Sequence, residues 1–306
     1  RSLRAGSHVL VEKPMAPSLE QCDAMLEAQR ESGRLLSVVA QNRFRDDMAG
    51  LKAVLDSGLI GSLSHVSIDS TWWRARSYYD LWWRGTWESE GGGPTLNHAI
   101  HHIDLMLWLL GRPSEVAAMM NNAQHDNAEV EDISVAIFRY GRALAELTSS
   151  VVHHGEEQEI IIHGQRARVS QPWRAVATVG EPNGFPSPTE DDALVAKLDS
   201  IVADREPLDH LGHTGQIADL IRAISEGGRP LSDGTDGRNA VEIVTAIYEA
   251  AIEGHTVRLP LSADDPYYRT GRLPHVAPRF FKKTASLADL GGDIVVGASS
   301  DAAARP

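Results

Sequence analysis

Three stretches of this chain hold side chains able to take a proton from a hydroxyl and to steady the charge left behind. The first is Glu12-Lys13-Pro14. Placed where a parallel strand ends, it lies where open α/β sheets bind their ligands, and the lysine can donate to a substrate hydroxyl while its charge stabilises a developing alkoxide. The plain alternative is a solvated lysine in a turn before a proline. The second stretch runs from Gly91-Gly92-Gly93 through Asn97 and His101 to Asp104. On one continuous helix those three polar side chains fall at i, i+4 and i+7 and share a face. A histidine titrates near neutrality, so His101 can accept the proton of a hydroxyl whose carbon loses hydride, and the triple glycine lets backbone approach a ligand closely. Two other readings stay open. One is a histidine satisfied between packed units; the other is a metal site from His98 and His102 at i, i+4, with neither a third ligand nor an HExxH pattern to complete it. The third stretch, Trp72-Trp73-Arg74 to Trp87-Glu88, holds five of the seven tryptophans and three arginines. Flat rings beside hydrogen-bonding arginines suit a sugar or a nicotinamide, although aromatic clusters also build plain core.

The elements that must position these residues follow from periodicity. His8 to Val11 reads as a short strand, Ser18 with Gln21 as a capping box for a helix from Leu19 to about Ser32, and Gly33 as its stop. Leu35 to Ala40 is an apolar run of strand length, so strand, helix, strand follow one another as in a parallel sheet with a crossover helix. A second helix spans about Asp46 to Ser57. Beyond it, Ser64 to Trp72, Glu115 to Met120, Asp132 to Tyr140, Ala143 to Val151 and Glu159 to His163 read as strands, with turns at Gly141-Arg142 and Gly164-Gln165 closing hairpins. Helices are predicted over about Thr95 to Leu110, Gly215 to Glu226 and Gly237 to Glu253. From about Gly271 the pattern dissolves into small and polar residues, which predicts a loose tail.

The chain has 306 residues, 42% hydrophobic and 23% charged, enough for a large core or two domains. Its formal charge of −13, with scattered basic residues, speaks against a nucleic-acid partner. No apolar run reaches the roughly 18 to 20 residues that span a bilayer, which speaks against a membrane-inserted protein. The single cysteine, Cys22, allows no intrachain disulfide and points to a reducing, cytoplasmic compartment. The first residue is Arg1 rather than methionine, and residues 2 to 5 read as the end of a helix closed by Gly6, so the natural N-terminus is expected to lie upstream.

Together these stretches resemble the Gfo/Idh/MocA family of oxidoreductases over roughly residues 1 to 262. His8-Val9-Leu10-Val11-Glu12-Lys13-Pro14 is similar to the family's strand with its EKP motif, whose lysine is catalytic and whose proline often follows a cis bond. Asn42-Arg43-Phe44 resembles the segment after the last Rossmann strand, and Leu59-Ile60-Gly61 the start of the substrate domain. Trp83-Arg84-Gly85-Thr86-Trp87 resembles members in which the Trp-Arg pair lies against the cofactor, and His101-His102-Ile103-Asp104 resembles the H-x-x-D motif with its proton-accepting histidine. Asp236-Gly237-Arg238-Asn239-Ala240 and Val257-Arg258-Leu259-Pro260-Leu261 are similar to the C-terminal helix and last segment of the family.

The resemblance implies a fold of class α/β plus α+β. Residues 1–45 would be the C-terminal part of a Rossmann parallel sheet, residues 46–270 a substrate domain with an open, mostly antiparallel sheet and packed helices, and residues 271–306 the tail. It implies hydride transfer between a sugar-like secondary alcohol and NAD or NADP, with catalytic Lys13, His101 and Asn97. The implied cofactor contacts are Glu12, Lys13, Pro14, Asn42, Arg43, Trp83 and Arg84; the implied substrate contacts are Tyr79, Trp87, His102 and Asp104; no metal is implied. A homodimer or homotetramer is expected. A non-catalytic sugar or dinucleotide sensor and an NAD-dependent glycosidase are the alternative functions for this fold. Two departures qualify the match. No G-x-G-x-x-G follows a first strand, so the pyrophosphate cradle is missing from the chain, which is expected to be N-terminally truncated and possible to find inactive as a fragment. Asn97 stands where inositol dehydrogenase-like members carry aspartate, and an amide orients but takes no proton.

Overall fold

A computed structural model describes residues 1–289 and 291. The first unit is small. Strand β1 (Val9–Val11) pairs in parallel with β2 (Leu36–Val38), joined by helix α1 (Leu19–Ser32). The Ser18 hydroxyl accepts from the Gln21 N–H at 3.3 Å and Gly33 closes the helix in the left-handed region, so both ends stop where the capping residues dictate. A 3-10 turn (Gln41–Phe44) and α2 (Asp46–Asp56) lead into the second unit.

That unit is built on eight strands in the order β12-β4-β5-β6-β3-β7-β8-β9. They are β3 (Leu63–Thr71), β4 (Glu115–Asn121), β5 (Ile133–Tyr140), β6 (Ala143–Ser150), β7 (Gln158–Gly164), β8 (Arg168–Gln171), β9 (Arg174–Val176) and β12 (Val257–Arg258). All neighbours are antiparallel except β3 and β6. Strands β10 (Thr178–Gly180) and β11 (Pro186–Glu190) form a separate hairpin. Alternation decides the faces: Val66, Ile68, Phe138, Leu147 and Ile162 are buried, whereas Met119, Val135, Ile137 and Leu144 are exposed on the other side. Helices α3 (Pro94–Asn97), α4 (Ile100–Leu110), α5 (Asp192–Ala203), α6 (Gly212–Glu226) and α7 (Gly234–Glu253) complete the unit.

Helix α7 joins the two units. It packs on α1 and β2 of the first and on β4 and α4 of the second. On α6, Gln216 takes the Ala40 N–H at 2.8 Å and donates to the Val38 carbonyl at 2.7 Å, satisfying backbone that β2 leaves open. Among the described residues no helix is long and apolar enough to cross a membrane.

Two expectations are corrected. The helix predicted over 95–110 is broken: the His98 and Ala99 N–H groups both bond to the Pro94 carbonyl, at 2.9 and 2.8 Å, and the chain restarts as α4 at Ile100. The loose tail predicted from 271 is instead ordered as far as it is described. Short helix α8 (Arg272–Val276) leads to a strap that runs back over residues 79–87. Trp87 donates to the Pro278 carbonyl, Lys283 to the Tyr79 carbonyl, and Leu287 pairs with Leu81. Buried Asn127 is its anchor, accepting from the Thr284 and Ala285 N–H groups at 2.7 and 2.9 Å and donating to Asp80. The remaining tail residues lie outside the described ones.

Asn127→Ala strips two backbone donors of their acceptor, a loss of about 1–3 kcal/mol for each one left unsatisfied. Trypsin is expected to cut after Arg279, Lys282 or Lys283 several-fold faster in this variant, with the rest of the chain still resistant. Equal cleavage of variant and wild type would show that the strap is not held there.

Candidate functional site

Strand β1 ends at Val11 and delivers Glu12 to solvent and Lys13 to a half-buried place, ahead of a cis peptide bond to Pro14. The Lys13 ammonium donates to the Asn97 carbonyl at 2.9 Å. Burial lowers its pKa below the ordinary lysine range, with Glu12 opposing and Arg84 adding to the effect.

Asn97 ends α3. Its side-chain amide donates to Glu90 at 3.0 Å and to the Gly92 carbonyl at 2.9 Å, so the side chain braces the glycine loop. His101 stands in the first turn of α4 and lines one cavity with Lys13, Met15, Val39 and Asp104. Burial, and next the Lys13 charge, pull its imidazole down to about 3, so the ring is neutral at physiological pH.

Beside them stands a wall of rings and arginines. Arg84 lies 4.0 Å from the centroids of both Tyr78 and Trp83, and its charge meets Glu90 at 2.7 Å. Arg74 lies over Trp72 and Tyr78, and the His98 ring sits 5.6 Å from Trp72 and 6.3 Å from Tyr78. Trp72 Nε1, Arg84 Nε and His98 Nδ1 are buried there without a protein partner. Unpaired donors behind flat rings, next to a lysine with spare N–H groups, fit the nicotinamide end of a dinucleotide and a hydroxylated substrate.

Several residues expected at ligands are spent elsewhere. Tyr79 and Trp87 are each 1% exposed and belong to the core, Trp87 packing edge-on to Tyr248 and Tyr79 to His125. His102 is buried on the side of α4 that feels Arg45. Asp104 accepts from Arg43 through both oxygens, at 2.9 and 2.7 Å, and Arg43 also donates to the Leu231 carbonyl. That buried fork ties the turn after β2 to α4 and engages both Asp104 oxygens with Arg43, although Asp104 still lines the cavity beside His101. The three residues read as one helical face therefore part at the break after Asn97. Asn42 and Pro14 are half-buried, and Trp83 is partly exposed against Arg84. Among the described residues no group of three or more His, Cys, Asp or Glu side chains is arranged to hold a metal ion.

Sequence reasoning passed over Glu90, Tyr78 and Glu131. Glu90 lies in an irregular segment with no period, and Glu131 directly precedes the predicted strand from Asp132, outside its alternation. No spacing rule points inward at either.

A parallel strand ending in a cationic, ring-lined cleft, with an open sheet behind it, defines a dinucleotide-dependent oxidoreductase. Two family models match: residues 1–40 an oxidoreductase family with an NAD-binding Rossmann fold, and residues 48–170 the GFO/IDH/MocA C-terminal domain. The chain is 26% identical over 272 residues to scyllo-inositol 2-dehydrogenase (NADP(+)) IolW of Bacillus subtilis, covering 84% of this chain and 74% of that protein. The WlbA dehydrogenase of Bordetella pertussis, solved with NADH and UDP-GlcNAcA, superposes with a TM-score of 0.68 at 30% identity, covering 85% of this chain and 75% of that one. Aldose-aldose oxidoreductase of Caulobacter crescentus, solved with glycerol, gives a TM-score of 0.65 at 25% identity, over 84% and 74%. The chain belongs to the Gfo/Idh/MocA family of NAD(P)-dependent oxidoreductases.

Removing one partner of a buried ion pair costs about 3–5 kcal/mol. Asp104→Ala is therefore expected to lower the melting temperature by several degrees or more, read by calorimetry. A shift below about one degree would mean the Arg43 fork contributes little to holding α4.

Proposed function

We propose that this protein oxidises a secondary alcohol of a sugar or sugar-like polyol, with Lys13 and His101 at the reacting centre and Asn97 orienting them. The observation that carries the reading is the shared cavity: the Lys13 ammonium, held on the Asn97 carbonyl, and the neutral His101 ring line the same space. Lys13 donates to the substrate oxygen and steadies its growing negative charge, and His101 accepts the hydroxyl proton. NAD(P), when bound, supplies the hydride acceptor. Glu12, Trp83 and Arg84 stand where the nicotinamide end would be held, the orphaned Arg84 Nε being the free donor on that side. The sugar class is supported by the cyclitol, nucleotide-sugar and aldose of the relatives' names.

His101→Ala is expected to lower kcat by about a hundred- to ten-thousand-fold, the usual range for positioned proton transfer. Lys13→Met, which keeps the chain length and removes the charge, should lower kcat as well. The assay is reduction of NAD(P) across a panel of aldoses, cyclitols and nucleotide sugars, with melting temperature as the control for folding. A structural His101 would reverse the pattern, with stability lost and turnover kept. Because burial holds His101 down at about 3, no kcat/KM limb between about pH 5 and 8 should belong to this histidine, and a limb found there should persist unmoved in the residual activity of His101→Ala.

The same reading takes the protein as a cytoplasmic homodimer or homotetramer. Its single cysteine is buried, and the outer sheet face presents Met119, at 80% exposed, together with Val135, Ile137 and Leu144. Such an apolar patch is seldom left wet. Light scattering should give a dimer or larger at micromolar concentration and a smaller species for Ile137→Asp; a wild-type monomer would end this part of the proposal.

A further inference from the structure

The glycine loop rests on a buried acid that the proposed chemistry leaves unused. Glu131, just before β5, is fully buried, and its carboxyl group accepts from the Gly93 N–H at 3.1 Å, the Thr95 N–H at 3.2 Å and the Tyr248 hydroxyl at 2.9 Å. It thus serves the first turn of α3 in place of Gly93, an N-cap residue with no side chain. The packing leaves no slack: a Cβ at Gly92 would lie 2.2 Å from the Tyr248 hydroxyl, and one at Gly93 would lie 2.0 Å from the Glu131 carbonyl oxygen. Three residues beyond Pro94, the same short helix ends at Asn97, whose carbonyl holds Lys13.

We propose that Glu131 is a positioning residue for hydride transfer, pinning the Gly93–Thr95 backbone and, through it, the Asn97 carbonyl that holds the Lys13 ammonium in the cleft. The inference rests on the assignment of Lys13 to the reacting centre. Three donors converge on the carboxyl group, two on one oxygen and one on the other, and the ionised form is the stronger acceptor for all of them. A proton on Glu131 turns one acceptor into a donor and sets it against an N–H or O–H, which loosens the loop. Burial pushes this carboxyl up to about 7, against the hydrogen bonds from Thr95, Tyr248 and Gly93. The groups in contact with it are uncharged, namely Tyr248 from α7, Thr95 from α3 and Gly93 ahead of it; the acids nearby are Asp132, next in the chain and held ionised by His125 and two backbone N–H groups, and Glu90, both of which, like Glu131, act on buried Tyr79.

The test uses the full chain as wild type, Glu131→Gln, Tyr248→Phe and Lys13→Met. In ligand-free protein, NMR titration of Cε-labelled lysine should show Lys13 titrating lower still in Glu131→Gln, because its charged form loses the Asn97 carbonyl. Turnover of that variant should fall about a hundred-fold, the scale of a misplaced catalytic group. Wild-type kcat/KM should decline as pH falls through about 7. In Glu131→Gln this limb disappears; in Tyr248→Phe, where the carboxylate has lost a donor, it moves to higher pH. A folded Glu131→Gln with wild-type turnover and an unmoved Lys13 titration overturns the proposal. Should that variant fail to fold, a limb left in place by Tyr248→Phe overturns it. Wild-type turnover in Lys13→Met would sink the assignment of Lys13 instead, whereas an inactive Lys13→Met beside an unaltered Glu131→Gln would sink the role of Glu131 alone.

Discussion

A lysine ammonium drawn partly out of water at the end of a strand has to find acceptors or lose its charge, and Lys13 finds the Asn97 carbonyl from a segment 84 residues away. That contact spans the two units, so everything that fixes either end of it bears on the cleft. On the lysine side, β1 is held by β2, and β2 by the Gln216 side chain from α6 and by the Ser37 hydroxyl on the Ser232 carbonyl. On the asparagine side, Glu90 and the Gly92 carbonyl hold the amide, and Glu131 with Tyr248 holds the loop beneath it. The Arg43–Asp104 fork closes the frame by binding the turn after β2 to α4. A charged group near the middle of the molecule is thus kept in register by polar contacts reaching it from both units.

Local chemistry in the sequence was enough to find the parallel pair, the crossover helix and the hairpins, because each is written in neighbouring residues: Ser18 and Gly33 cap α1, and alternation marks β5 and β6. Lys13 and His101 were legible for a related reason, as a lysine at a strand end and a histidine at helical spacing carry their chemistry in their position. What failed needed tertiary information. The break at residues 98–99 depends on Pro94 accepting two N–H groups, and no helix-stopping residue announces it. The strap from 278 to 287 has the composition of a tail, and it is ordered by backbone donors meeting Asn127, a residue whose own sequence neighbours look like a loop.

The same limit applies to the residues of the ring-bearing segment. Tyr79, Trp87 and Trp83 are alike in composition and close in sequence, yet the first two are core and the third is partly exposed against Arg84. An irregular segment has no period from which to read a face. Asp104 and Arg43 illustrate the converse: two charged residues 61 positions apart neutralise each other in the interior, a pairing that no local spacing announces. A buried charge with a partner tells of architecture; orphaned donors such as Arg84 Nε and Trp72 Nε1 tell of a ligand.

The electrostatics of the cleft then bear on the direction of the proposed reaction. His101 is kept neutral first by burial and next by the Lys13 charge, and Lys13 is itself lowered by burial, so the ligand-free cleft resists a second cation. A substrate oxygen that gains negative charge between the two groups removes that resistance. It favours the protonated form of His101 and the charged form of Lys13 by the same Coulomb interaction, and both effects grow as the oxygen's charge grows. Proton acceptance by a base this weak in the empty cleft is therefore tied to charge development on the substrate. A bound hydroxyl that is not yet losing hydride offers no such charge, so the pair stays in its resting protonation state until the reaction itself supplies the driving force.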